Sequence, residues 1–144
     1  MIKKIDHVTL VVKNLDKAIE SYAKILNLTP WSKGIVHHAT SRLAVLPTPG
    51  GARIEFIEPN MAQSTPFKQF LNERGEGVFG LSIFVDDFDA EVERLKKEGI
   101  PVQVDTQSFL FPDHPFRMGW VSPQYAHGVW LEFVDYESLP SFEK

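Results

Sequence analysis

IDHVTLVVKNLDKAIESYAKI, residues 5–25, returns in altered form as VFGLSIFVDDFDAEVERLKKE, residues 78–98. Laid over each other without a gap, His7 falls on Gly80, Val12 on Val85, Asn14 on Asp87, Asp16 on Asp89 and Glu20 on Glu93. A second pair follows, RIEFIE at 53–58 and WLEFVD at 130–135, with Glu55 over Glu132. Its spacing is larger, so the second half carries extra residues. Internal repetition has to be settled before local propensities are weighed, and here it gives two related modules, each a strand, a helix and further strands. One domain spans residues 1–144, with a first module over 4–58, a linker holding a short helix over 59–77 and a second module over 78–135.

Period two within Ile5–Val12 places Ile5, His7, Thr9 and Val11 on one face and Val8, Leu10 and Val12 on the other. Asn14 is a good helix N-cap, and Leu15, Ala18, Ile19, Tyr22, Ile25 and Leu26 follow at helical spacing. That helix must cover the Val8/Leu10/Val12 face, which leaves His7 on the uncovered side of the sheet. Further strands are expected within Trp31–His38, at Arg42–Leu46, and at Ala52–Glu58 after the Pro49-Gly50-Gly51 turn. If Ile54 and Phe56 meet the helix, Glu55 points where His7 points. In the linker, Thr65-Pro66 starts a short helix that Gly75 ends.

The second module repeats the pattern. Leu81, Ile83 and Val85 face a helix capped by Asp87, while Gly80, Ser82 and Phe84 take the side equivalent to His7. Later strands are expected near Val102–Asp105, Arg117–Val121 and Gly128–Asp135, the last with Trp130, Glu132 and Val134 on the face that corresponds to Glu55. An aromatic-rich loop, SFLFPDHPF over 108–116, lies between them, and the tail after Tyr136 reads as frayed.

At 144 residues, with 43% hydrophobic and 24% charged side chains, the chain has the size and composition of one globular domain. A net charge of −4 gives no broad basic field, which argues against nucleic acid as a partner. The absence of cysteine removes disulfides, thiolate catalysis and Cys-ligated zinc together and makes a cytoplasmic location the simpler expectation. The apolar run near the start is interrupted by Asp6 and His7, so no signal peptide is read there. No stretch approaches the roughly 18 apolar residues of a membrane span, and no membrane partner is expected.

One histidine and two carboxylates, His7, Glu55 and Glu132, thus point toward a common concave surface from strands that the repeat makes equivalent in pairs. Imidazole with carboxylates is a ligand set for Zn, Ni, Co, Mn or Fe, and such a metal polarises a bound carbonyl. A different account of the same residues stays open: a strand histidine held by hydrogen bonds, and glutamates neutralised by Arg53 or Arg117 with no metal.

IDHVTLVVKNLDKAIESYAKILNL, TPFKQFLNERGEG before the second module and HGVWLEFVD near the end resemble the vicinal oxygen chelate superfamily, and most of all its methylmalonyl-CoA epimerase branch. The resemblance runs from Ile5 to Asp135. It implies an α+β fold of two βαβββ modules, a curved mixed sheet around a cleft, and a homodimer. Position by position, the family's four metal-ligand places fall on His7, Glu55, Gly80 and Glu132. Gly80 departs from the pattern, since the epimerase branch has a His-His pair where this chain has Phe79-Gly80; a glycine there supplies no ligand and is expected to leave room. His114, or behind it His37, His38 or His127, is the candidate to replace that ligand.

The implied activity is that of a metal-dependent lyase or isomerase acting on a small carbonyl or thioester substrate through a metal-stabilised enolate. Glu132 or Glu55 would move the proton, a divalent Ni, Co, Mn, Zn or Fe ion being the cofactor. Phe84, Trp130, Phe109, Phe111, His114 and Trp120 are the expected substrate contacts, with Phe116 behind them. The alternative is a metal-free protein that sequesters a hydrophobic or aromatic small molecule, as the bleomycin-resistance members of the superfamily do.

Overall fold

The computed structural model describes residues 1–30, 32–107 and 113–141, and these form two compact units: 7–79, and 1–6 together with 80–144. In chain order the first elements are β1 (Ile2–Val11), α1 (Leu15–Leu26), β2 (Val36–His38), β3 (Ser41–Pro47), β4 (Arg53–Pro59) and α2 (Pro66–Arg74). Then follow β5 (Gly77–Val85), α3 (Phe88–Lys97), β6 (Gln103–Gln107), β7 (Phe116–Val121) and β8 (Trp130–Asp135). The strand order is β2-β3-β4-β1 in the first module and β6-β7-β8-β5 in the second. In each, the strand before the helix runs parallel to the module's last strand, and the remaining pairs are antiparallel. The order of elements is thus βαβββ twice, in an α+β fold.

The helices start where their caps dictate. Asn14 Oδ1 accepts from the Lys17 N–H at 3.0 Å, and Asp87 Oδ1 from the Ala90 N–H at 3.0 Å, one position in two copies. Thr65 caps α2 ahead of Pro66, and Gly75 ends it with a left-handed φ of 77°. Behind the caps, α1 lays Leu15, Ala18, Ile19 and Tyr22 over Val8, Leu10, Val12, Ile54 and Phe56, and α3 lays Phe88, Val92 and Leu95 over Ile83, Val85, Leu131 and Phe133. These are the faces that parity assigned, except that Ile25 and Leu26, read as the end of the α1 stripe, are exposed.

Each core is closed by the same ionic latch. Arg42 donates from Nη2 to Glu58 Oε2 at 2.9 Å and reaches Asp16 in the first turn of α1 at 3.3 Å. Arg117 donates from Nε to Asp135 Oδ2 at 2.9 Å and from Nη1 to Asp89 Oδ1, in the first turn of α3, at 2.9 Å. Asp16 and Asp89, Arg42 and Arg117, Glu58 and Asp135 are corresponding residues of the two modules. Glu58 also accepts the orphan N–H of Leu15 at 2.8 Å. Burial on its own would push the Glu58 carboxyl up; the hydrogen bonds from Arg42 and Leu15 and the Arg42 charge outweigh it and hold the group below the usual carboxylate range.

Several expectations need correction. The strand expected within Trp31–His38 is only the three residues of β2, and Trp31 lies outside the described residues. The face of the first module away from α1 is not bare, because Val11, Leu43, Val45 and Ile57 on it are all buried. The tail is not frayed at Tyr136: Tyr136–Ser138 form a 3-10 turn, and Leu139, 5% exposed, packs with Phe84, Phe116, Met118 and Val134. An apolar side chain four residues past β8 has a hydrophobic surface to cover, and covering it ends the fraying. Among the described residues, no helix is long and apolar enough to cross a membrane.

Candidate functional site

The first module's polar group sits on the face away from α1. β1 and β4 are in parallel register with Thr9 opposite Glu55 and His7 opposite Arg53, so all four side chains project to one side. The Thr9 hydroxyl donates to Glu55 Oε1 at 3.0 Å, and His7 Nε2 stands 3.8 Å from the same oxygen. Side-chain exposure is 14% for His7 and 15% for Glu55, low enough to raise the effective strength of their interaction and high enough for a small ligand to reach them. One side of Glu55 is thus anchored, and the imidazole approaches it without the short contact of a direct hydrogen bond.

In the second module the corresponding strands repeat the arrangement. β5 and β8 are in parallel register with Ser82 opposite Glu132 and Gly80 opposite Trp130, and β7 sets Trp120 opposite Glu132 from the other flank. Glu132 is buried, 7% exposed, between a serine and a tryptophan. Trp120 and Trp130 meet edge to face, with ring centroids 6.1 Å apart, and both remain partly exposed. Phe84 and Val134 lie further along the same face, in the cluster capped by Leu139.

Trp120, Trp130 and Glu132 are therefore brought together, and His7 with Glu55. Phe84, 2% exposed, is enclosed by Phe116, Met118, Val134 and Leu139, with Tyr136 at 6.2 Å between ring centroids. His114 is exposed just ahead of β7. Phe109 and Phe111 lie outside the described residues. His37 and His38 are exposed on β2, and His127 is exposed with a left-handed φ of 52°. Arg117, the possible counter-charge for a glutamate, is instead committed to Asp89 and Asp135 on the α3 side.

Gly80 corrects the sequence reading most. A Cβ built there would stand 2.5 Å from the Trp130 carbonyl oxygen and 3.0 Å from the Trp130 Cβ. The glycine does not leave room; it is the condition for the close approach of β5 and β8. The place where the superfamily puts a ligand is here a packing position. Ser82 is the residue whose weight was missed: it was placed on this face by parity, but its pairing with Glu132 needs the register of two strands that are far apart in sequence.

As to a metal, imidazole nitrogen and carboxylate oxygen 3.8 Å apart are of the donor types that Zn, Ni, Co, Mn and Fe accept. His7 and Glu55 fit the group by chemistry and Gly80 adds nothing to it. Among the described residues, no set of three or more His, Cys, Asp or Glu is gathered around one point.

The family profile described as Glyoxalase/Bleomycin resistance protein/Dioxygenase superfamily matches residues 6–115. The chain belongs to this superfamily. Among solved structures, the glyoxalase-like chain is similar to methylmalonyl-CoA epimerase from Mycobacterium tuberculosis at 28% identity and a TM-score of 0.77, covering 98% of this chain and 91% of the other. A hypothetical protein from Bacillus halodurans C-125 gives 23% identity and a TM-score of 0.76, with 96% and 97% covered. A variant of Streptomyces coelicolor methylmalonyl-CoA epimerase, in complex with 2-nitronate-propionyl-CoA, gives 23% and 0.77, with 94% and 98% covered. These last likenesses establish the shared fold. A comparison with curated proteins gives no match.

Proposed function

We propose that this superfamily member is an isomerase that moves a proton on the carbon next to the carbonyl of a small thioester or ketone. The observation that carries the reading is the repeated placement of a low-exposure glutamate beside a strand hydroxyl residue, Glu55 with Thr9 and Glu132 with Ser82. A carboxylate that is largely desolvated and held in one orientation is a competent general base. Glu132, the more buried of the two, takes the proton from the substrate carbon; the carbon's electron pair moves toward the carbonyl oxygen, the carboxyl exchanges its proton with solvent, and a proton is delivered to the other face of the carbon. No net oxidation occurs, and the carboxylate is regenerated. His7 and Glu55 carry donor atoms of the kind a divalent ion takes, and such an ion supplies Lewis-acid chemistry when bound. Trp120 and Trp130 flank Glu132 with apolar surface and bracket a flat thioester. Epimerases of this fold whose structures hold CoA compounds support thioesters as the first substrates to try.

The test is solvent exchange. Protein stripped with chelator, then supplied with Ni, Co, Mn or Zn, is incubated in deuterated water with methylmalonyl-CoA or propionyl-CoA, and deuterium at the α-carbon is read by mass spectrometry. Exchange is expected, with a loss of 100-fold or more in Glu132→Gln, about the contribution of a positioned base. Absence of exchange with every metal and substrate would sink the reading.

A second reading, a metal-free protein sequestering an aromatic compound, is favoured by one observation: the crowding at Gly80, next to the partly exposed Trp120–Trp130 pair. Thermal stabilisation by apolar aromatics, with no calorimetric signal for any of the four metals, is its expected signature.

A further inference from the structure

The Ser82 side chain is fully buried, and its Oγ makes no hydrogen bond to any described residue. A hydroxyl in that condition costs stability for as long as it lacks a partner, and a strand interior offers many apolar residues that would pack there without that cost. Its register partner across the parallel β5–β8 pair is Glu132, whose side chain leaves the sheet on the same face. The first module holds the equivalent pair with the bond made: Thr9 opposite Glu55, and Thr9 Oγ1 donating to Glu55 Oε1 at 3.0 Å.

We propose that Ser82 is a positioning residue for Glu132, its hydroxyl donating to the ionised carboxylate as Thr9 does to Glu55. The register sets the two side chains side by side on one face, a serine hydroxyl turns about a single side-chain bond, and a carboxylate has acceptor sites for several donors. The bond fixes which oxygen of Glu132 is anchored and which faces the substrate. The importance of this for catalysis rests on the reading of Glu132 as the base; the bond itself does not.

The two are separated by a double-mutant cycle that reads the bond without any substrate. Ser82→Ala, Glu132→Met and the double variant are unfolded in urea at neutral pH, beside Ser82→Thr alone and combined with Glu132→Met. A hydrogen bond from the serine hydroxyl to the carboxylate is expected to appear as a coupling of about tenfold or more between the unfolding constants of the two sites. Ser82→Thr, which keeps the hydroxyl, should retain that coupling. The cycle of Thr9→Ala with Glu55→Met gives the scale for a bond already made. Effects of Ser82→Ala and Glu132→Met that add to within about twofold overturn the proposal. If no thioester exchanges deuterium but Ser82 and Glu132 couple, the proton-transfer reading fails and the positioning role stands.

Discussion

Replacing Gly80 by alanine tests the closest backbone approach in the second module. Its φ does not lie in the left-handed region, so on conformational grounds alone alanine should stabilise the fold by about 0.4–1 kcal/mol through the unfolded chain. The structure reverses that sign. A Cβ would sit 2.5 Å from the Trp130 carbonyl oxygen, whereas unstrained carbon–oxygen contacts in sheets lie near about 3.3 Å. The neighbour is backbone, so relief means moving β5 from β8 by several tenths of an ångström along a paired ladder. Overpacking of this kind costs roughly 1–3 kcal/mol, leaving a net loss of about 1–2. For a chain of 144 residues, an unfolding entropy of about 2.1 cal/mol/K per residue converts each kcal/mol into about 3 °C, so Gly80→Ala should melt about 3–6 °C below wild type. Differential scanning calorimetry reads this directly, with Gly50→Ala as the control, since nothing lies within 4 Å of a Cβ there. A Tm for Gly80→Ala at or above wild type would refute the argument and return position 80 to the status of an open ligand site. Gly80→His meets the same carbonyl before its imidazole is placed at all, so it should lose at least as much stability.

Three further outcomes follow from the geometry. Glu58→Gln removes the charge that caps Leu15 and holds Arg42, and should cost about 1.5–3 kcal/mol at neutral pH in urea titrations. Because the Glu58 pKa is lowered in the fold, its stabilisation is present above the unfolded value and lost as pH falls through the native one; the acid limb of the stability curve should be flatter in the variant, and equal limbs would speak against the latch. Leu139→Ala opens the cluster around Phe84 and Phe116 and should cost about 2–5 kcal/mol by chemical denaturation, whereas a frayed tail would give nothing measurable. Asn14→Ala and Asp87→Ala should each cost about 1 kcal/mol, and near-equal losses would reflect the equivalence of the two caps.

Much of this was legible before any coordinates. Asn14, Asp87 and Thr65-Pro66 are local signals, and the helices start at them. Period two placed Glu55 beside His7 because one apolar stripe, Ile54 and Phe56, had only α1 to meet. What stayed hidden depends on two distant segments at once. Gly80 read as an empty ligand place because nothing local announces the Trp130 carbonyl opposite it. Phe84 read as a ligand contact because parity gives its face but not its cover, which Leu139 and Tyr136 bring from beyond the last strand. Ser82 read only as one residue of the His7-equivalent face because its partnership with Glu132 exists only in the register of β5 and β8.

The doubled arginine latch has a consequence for how such a chain can change. Arg42 with Glu58 and Asp16, and Arg117 with Asp135 and Asp89, lie on the helix side of their strands, while Glu55 and Glu132 leave by the opposite side. Closure and the proposed chemistry are thus written on different faces of the same strands, in alternate letters. A letter such as Glu55 or Glu132 can be changed while both latches on the other face stay legible.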